Sequence, residues 1–233
     1  MWKQKSKTPL TTDDVNFYLG GKSQKREPPV PIGYVNKQRE LIKLCPESFE
    51  DIFHVGYRNH LQFSSRDILQ WAKLKSSQRL ENSKISKMNK WICALFREEF
   101  EKGVRPPLHI RWVDPFLGYG VFASEQIPAL TYVGEYAGVV RKRSRRKDRA
   151  NDYVFGYVVG PKESRFVIDA REFGNHTRYI NHSDEPNLNS RWVIIDGLCH
   201  IVFFTNRLIK KGEQLSYDYG PYYWRKRASP ILC

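Results

Sequence analysis

Apolar positions change their rhythm at the Pro106-Pro107 pair. Upstream, Ser64 or Ser65 stands as an N-cap before Ile68, Leu69, Ala72 and Leu74, which predicts a helix. Ile85, Met88, Ile92, Leu95 or Phe96, and Glu99 or Phe100 then recur at a helical period, and Gly103 ends that second helix. Between 36 and 63 the short clusters Leu41, Ile42, Leu44 and Phe49, Ile52, Phe53 predict one or two further short helices. Residues 36–105 thus read as a helical N-terminal region. The stripe from Ile85 to Phe100 is most simply a face packed on the rest of the chain, with a homodimer interface as its other use. Residues 1–35 are polar and end in Glu27-Pro28-Pro29-Val30-Pro31, so they read as a tail or a surface-hugging arm.

Downstream the segments are shorter and β-rich. Leu108–Val113, Tyr132–Tyr136, Tyr153–Val159, Arg165–Ile168, Val193–Ile195 and His200–Thr205 are separated by turn residues. That texture predicts an α+β or all-β unit of many short strands, without the βαβ alternation of a parallel sheet.

Composition narrows the function classes. The 233 residues are 40% apolar and 14% aromatic, enough for a packed core. No apolar run is long enough to cross a membrane, and no apolar h-region follows Met1, so neither a spanning helix nor a secretory signal is expected. Cys45, Cys93, Cys199 and Cys233 are widely spaced without a CxxC pair. A disulfide framework and a cysteine zinc site are therefore not expected, and a reducing, intracellular setting fits. The net charge is +14, with 20 basic and 12 acidic residues in 1–105 and 19 and 13 in 106–233. A field of this sign attracts polyanions, nucleic acid first.

Several clusters in the second half carry candidate chemistry. Gly118-Tyr119-Gly120 lacks the third glycine and the strand-to-helix setting of a dinucleotide fingerprint, and alone is only a tight turn. Glu135-Tyr136-Ala137-Gly138 and Tyr217-Asp218-Tyr219-Gly220 are, alone, strand ends. Arg178-Tyr179-Ile180-Asn181-His182-Ser183, followed by Pro186-Asn187, gathers polar groups beside a turn. Their order and spacing, together with Asp152-Tyr153-Val154-Phe155 and Val167-Ile168-Asp169-Ala170, resemble the SET-domain protein-lysine methyltransferases over about residues 108–220.

The resemblance implies a β-clip of small curved sheets in which the C-terminal segment threads under a preceding loop, bringing the NHS and YDYG motifs together. It implies S-adenosylmethionine as cofactor and methyl transfer to a lysine amine as the reaction. Matched to the family's motifs, Tyr219 is the tyrosine beside the transferring methyl, Tyr153 orients the amine and flanks the cofactor, and Tyr217 tunes how many methyls are added. Leu117, Gly118, Tyr119 and Gly120 form the turn that approaches the cofactor. Asn181 and His182 hold its amino group and adenine, and Arg178 contributes to that loop, chiefly as a brace. Glu135 and Tyr136 lie on the strand lining the site, while Asp169 and Asp218 tie turns. Many relatives carry cysteine-rich zinc modules. Here Leu188 follows Asn187, and the tail after Gly220 holds only Cys233, so no metal is expected. Tyr222, Tyr223 and Trp224 then close the substrate channel as a short post-SET tail, residues 221–233. A lysine-rich, zinc-free chain with a helical N-terminal part is similar to the chlamydial SET proteins, which modify histones or histone-like proteins.

The resemblance therefore implies a methyltransferase of basic proteins, acting in a bacterial cytoplasm or nucleoid or in a host nucleus. A catalytically silent SET module that binds chromatin or a protein partner, and a methyltransferase of a non-histone protein, are the alternatives. The dense basic run Arg141-Lys142-Arg143-Ser144-Arg145-Arg146-Lys147 reads as a solvated loop or, functionally, as a phosphate-contacting patch or a nuclear localisation signal.

Overall fold

The computed structural model describes residues 12–20, 32–81, 85–157 and 165–224. Beyond Leu108 the chain forms short strands that group into small sheets. One three-stranded antiparallel sheet orders Leu188–Ile195, Leu198–Thr205 and Tyr132–Glu135. Its central strand is buried along its whole length. Because side chains alternate across a strand, Ile201 and Phe203 enter the main core while Val202 and Phe204 enter a second cluster. That second cluster is closed by Ile92, Phe96 and Phe100, so helices cover the face that would otherwise meet water.

Residues 36–105 are not simply helical. The helices Pro46–Phe53, Arg66–Glu81, Lys87–Leu95 and Arg97–Lys102 alternate with strands of two or three residues that belong to the sheets of the second half. Gly33–Val35 lies between Leu41–Lys43 and Leu108–Asp114 in a four-stranded sheet completed by Gly118–Ala123. Gln62–Phe63 runs parallel to Val139–Lys142 at the edge of a second four-stranded sheet, which continues through Phe166–Asp169 to Val154–Gly156. Gly56–Tyr57 pairs with Phe173–Gly174. Strands this short show no alternation, and their pairing is dictated by the sheets they complete.

The expected helices need smaller corrections. Ser65 caps the long helix, its hydroxyl accepting from the Ile68 amide at 3.4 Å. The stripe from Ile85 to Phe100 is broken at Phe96, whose backbone leaves helical geometry between two short helices. Ile85, Ile92, Phe96 and Phe100 are buried, but Met88, Trp91 and Leu95 face outward. Within residues 1–35, Thr12–Tyr18 is a helix whose Tyr18 ring packs edge-on to Phe63, and Pro28, Pro29 and Pro31 lie outside the described residues. The basic run is not a loop throughout: Val139–Lys142 is a strand and Arg145–Arg149 a single helical turn capped by Ser144. The turn expected at Gly118-Tyr119-Gly120 opens a six-residue strand, Gly118–Ala123.

Candidate active site

The NHS and YDYG motifs meet as a parallel pair of two-residue strands, with Asn181 opposite Ser216 and His182 opposite Tyr217. Asn187 fastens this pairing. Its side chain donates to the Gln214 carbonyl at 2.8 Å and to Glu213 Oε1 at 3.0 Å, and accepts from the Ser216 amide at 2.9 Å. The His182 ring accepts from the Tyr219 amide at 3.2 Å, and the Tyr219 hydroxyl donates to the Ile180 carbonyl at 2.9 Å. The two tyrosines of the YDYG segment therefore have fixed rings, 4.7 Å apart.

Around them stands an aromatic wall. Tyr217 packs on Phe203 at 4.7 Å and lies nearly parallel to Phe155. Tyr136 joins through Phe155 and Phe203. Pro221–Trp224 is one helical turn that sets Tyr223 against Tyr219 at 4.6 Å and Trp224 against His182 at 4.8 Å. This is the place expected for a channel lid, although the Tyr222 side chain lies outside the described residues. Burial, reinforced by the neighbouring phenols, raises the Tyr217 and Tyr219 hydroxyls well above the ordinary tyrosine range. Both stay protonated at neutral pH, so they can donate and orient but cannot take a proton as phenolates.

Tyr153 is held differently. Asn151 Oδ1 accepts from its amide at 3.0 Å, and its carbonyl accepts from the Ala170 amide at 2.9 Å. The Arg178 guanidinium lies over its ring at 3.7 Å and over Tyr179 at 4.8 Å, while donating to the Tyr179 hydroxyl at 2.6 Å and to the Arg171 carbonyl at 3.3 Å. Arg178 is thus turned toward these two rings, as a brace. Asp169 ties the same corner. It accepts from Asn151 and the Arg171 amide on one oxygen and forms an ion pair with Arg141 on the other. Asp218 likewise closes its own turn by accepting from the Gly220 amide.

The turn at Leu117–Gly120 depends on Asp114, which sequence reading did not single out. One Asp114 oxygen accepts from the Phe116 and Leu117 amides at 2.8 and 2.7 Å, an Asx turn that leads into Gly118. Gly118 adopts φ +68°, and a Cβ there would meet nothing within 4 Å, so backbone is exposed to open space. Asn181 Nδ2 donates to the Tyr119 carbonyl at 3.1 Å, binding this turn to the NHS strand. The Tyr119 ring is enclosed by Tyr34 and Phe53 from the N-terminal part and by Trp112 and Tyr179. Asn175 was also missed. It is buried and donates to the Glu135 carbonyl at 3.0 Å, anchoring the loop that leads to Asn181. Its only sequence signal was the Gly174-Asn175 pair two residues before the motif.

Glu135 is a correction. Adjacent residues of a strand face opposite sides, so Tyr136 reaches the aromatic wall and Glu135 points away from it. Its side chain is fully buried and its carboxylate is held by His200 Nδ1 at 2.6 Å and His60 Nδ1 at 2.9 Å. Burial pushes the Glu135 carboxyl up, but the two imidazoles outweigh it and hold the group below the ordinary carboxylate range.

The chain is similar to known proteins over part of its length. Residues 118–220 match the family model described as SET domain. Human histone-lysine N-methyltransferase SETD2 is 32% identical over 121 residues, 50% of this chain and 5% of that protein. Histone-lysine N-methyltransferase set-2 of Caenorhabditis elegans is 31% identical over 170 residues, 69% of this chain and 10% of that protein. Among solved structures, Arabidopsis thaliana SUVH6 in complex with SAM is 30% identical with a TM-score of 0.44, covering 50% of this chain and 28% of that one. The chain spans less than a third of the length of each of these relatives. Residues 118–220 of this chain match the SET domain, and the sheets they form are completed by strands from the residues before them.

Proposed function

We propose that the chain is an S-adenosylmethionine-dependent protein-lysine N-methyltransferase acting on histones or histone-like basic proteins. The observation that carries the reading is the register of Asn181–His182 on Ser216–Tyr217, which sets two polar cofactor-type side chains beside the wall of Tyr136, Tyr217 and Tyr219. The residues present fit the cofactor. Gly118 offers exposed backbone, Asn181 and His182 offer polar contacts, and Tyr153, Tyr219 and Trp224 offer aromatic surface for a sulfonium. When bound, the cofactor supplies an electrophilic methyl.

The protein's part is to present a neutral amine. Free lysine has a pKa of about 10.4, and a channel walled by aromatic rings disfavours the ammonium by desolvation. The protonated hydroxyls of Tyr217 and Tyr219 do not remove the proton. They fix the amine's direction, and alignment of the lone pair supplies the rate. Passage of the C-terminal segment beneath the 175–183 loop belongs to this reading and is supported by the parallel pairing at His182. So does independence from zinc, as in the chlamydial SET proteins, supported by Tyr223 and Trp224 closing the channel end. We place the activity in a reducing compartment, a bacterial cytoplasm or nucleoid or a host nucleus.

Two measurements test the proposal together. Calorimetry with S-adenosylmethionine should show binding at micromolar concentration or better, and tritiated methyl should pass to one member of a panel of histones, histone-like proteins and whole-cell lysate. Folded protein that binds no cofactor would instead be the silent module. Transfer only to non-basic proteins would overturn the substrate class.

A further inference from the structure

The segment between the two site residues Tyr136 and Tyr153 carries the run Arg141–Arg149, and its charge is sorted by direction. Arg141 points inward, paired with Asp148 at 2.7 Å and Asp169 at 2.6 Å. Asp148 also accepts from the Ser144 amide at 3.0 Å. The run's one acid is thus consumed inside it. Lys142, Arg143, Arg145, Arg146, Lys147 and Arg149 are all exposed, six cations along eight residues. We infer that this ridge is a docking site for nucleic-acid phosphates, and that it seats the enzyme on a nucleic-acid-bound basic substrate.

Three observations favour nucleic acid over other polyanions. Four of the six outward cations are arginines, whose planar fork matches phosphate oxygens bidentately. No apolar or aromatic residue lies anywhere in 141–149 to enter a lipid surface or to form the dry centre of a protein interface. The ridge also stands next to a site proposed to take basic proteins, which it would repel on its own. Phosphates between ridge and substrate turn that repulsion into attraction, and this part of the inference rests on the proposed function.

The ridge is rigidly joined to the chemistry. Arg141 holds Asp169, Asp169 holds Asn151, and Asn151 holds the Tyr153 amide. Arg171 donates to the Ala150 carbonyl just beyond the helical turn. A polyanion seated on Arg145–Arg149 therefore has a defined position relative to the channel.

The test uses the full chain and a labelled 20-base-pair duplex DNA in fluorescence anisotropy between 50 and 300 mM salt. The triple variant Arg145→Gln/Arg146→Gln/Lys147→Gln is compared with a charge-matched control, Lys87→Gln/Lys90→Gln/Lys211→Gln, at exposed positions elsewhere. Each phosphate contact contributes about 0.9 to the slope of log affinity against log salt, so the ridge variant should lose roughly 2 to 3 of that slope and the control under about 1. Affinity at 100 mM salt should fall at least tenfold in the ridge variant alone. Equal losses in both variants would show that only net charge matters and overturn the site. Polyglutamate or phosphatidylserine vesicles that displace DNA at lower charge concentration than unlabelled duplex would overturn the ligand class. In the catalytic arm, DNA should stimulate methylation of a histone-like protein by the unaltered chain but not by the ridge variant. DNA binding without any methyl transfer would sink the proposed function and leave the docking site standing, whereas transfer that DNA does not stimulate would overturn the role in seating substrate.

Discussion

Asp169→Asn isolates the charge at the junction between ridge and site. The replacement keeps shape and one acceptor oxygen, so it can still accept from Asn151 and the Arg171 amide. It loses the ion pair with Arg141, whose guanidinium meets the carboxylate at 2.6 and 2.7 Å. Both side chains are about four-fifths buried, with 16% and 20% exposure, so solvent screens the pair only partly. Hydrogen bonds to charged groups contribute about 1.5–3 kcal/mol, and Arg141 keeps Asp148, so we expect a loss of about 2 kcal/mol. In a chain of this size that lowers Tm by roughly 4–8 °C. The pH dependence follows from the carboxyl itself. Burial raises its pKa, but the Arg171 amide, Asn151 and Arg141 together outweigh burial and hold it below the ordinary aspartate value. A carboxyl lowered on folding stabilises fully above its unfolded pKa, about 3.9, and loses that contribution as pH falls through the folded value. Thermal melts by circular dichroism should therefore show the full gap between the two proteins at pH 7 and pH 5.5, closing below pH 4. Activity should fall about tenfold through misplaced Tyr153. Equal melting at pH 7, or a gap unchanged at pH 3 in protein that still melts cooperatively, would refute the reasoning.

Asn181→Ala and His182→Ala should each weaken S-adenosylmethionine binding about ten- to a hundredfold by calorimetry, because a buried hydrogen-bond partner contributes about 1–3 kcal/mol; unchanged affinity in both folded variants removes them from the cofactor site. Tyr217→Phe should raise the number of methyls added, read by mass spectrometry, by freeing the volume of a water held at its hydroxyl, whereas Tyr219→Phe should slow every step by releasing its bond to Ile180; predominant trimethylation by the unaltered chain contradicts this. Activity should survive chelator and reductant, and stoichiometric zinc in the purified protein would count against the expectation. Ile92, Phe96 and Phe100 are spent on the sheet, so self-association falls to Met88, Trp91 and Leu95; light scattering at micromolar concentration should give about twice 27.5 kDa, and a monomer ends the homodimer idea.

What the sequence made legible was local. The clusters at 117–120, 178–187 and 217–220 are contiguous and chemically distinctive, and the structure brings Tyr119, Asn181, His182, Tyr217 and Tyr219 into one neighbourhood. The longer strands from Leu108 on were mostly found because clustered β-branched and aromatic residues leave a trace. Leu41–Lys43, Gly56–Tyr57 and Gln62–Phe63 left none, since two or three residues cannot show a period, and the partners of the last two lie far along the chain. Glu135 was misplaced for a different reason. Its strand was recognised, but the alternation of faces was not applied, and its partners His60 and His200 carry no sequence mark of their relation. Asp114 and Asn175 act through backbone amides and carbonyls, which any polar residue near a turn could have done.

The contact between His60 and Glu135 also sets a clock for synthesis. The two residues are 75 positions apart, and the second imidazole, His200, follows 65 later. At roughly 5–20 residues per second, His60 and the strand edge beside it wait roughly 4–15 s for a partner, and the Glu135 carboxylate waits nearly as long again for its second one. Throughout that interval Gln62–Phe63 presents an unpaired edge from a strongly basic nascent chain, which is a template for wrong pairing. The three-stranded sheet is completed late, when the strand bearing His200 arrives, and the pairing of Asn181–His182 with Ser216–Tyr217 follows later still. Truncating the chain before Leu198 should therefore yield no partially folded N-terminal domain, but an aggregating fragment that only a holding chaperone keeps in solution.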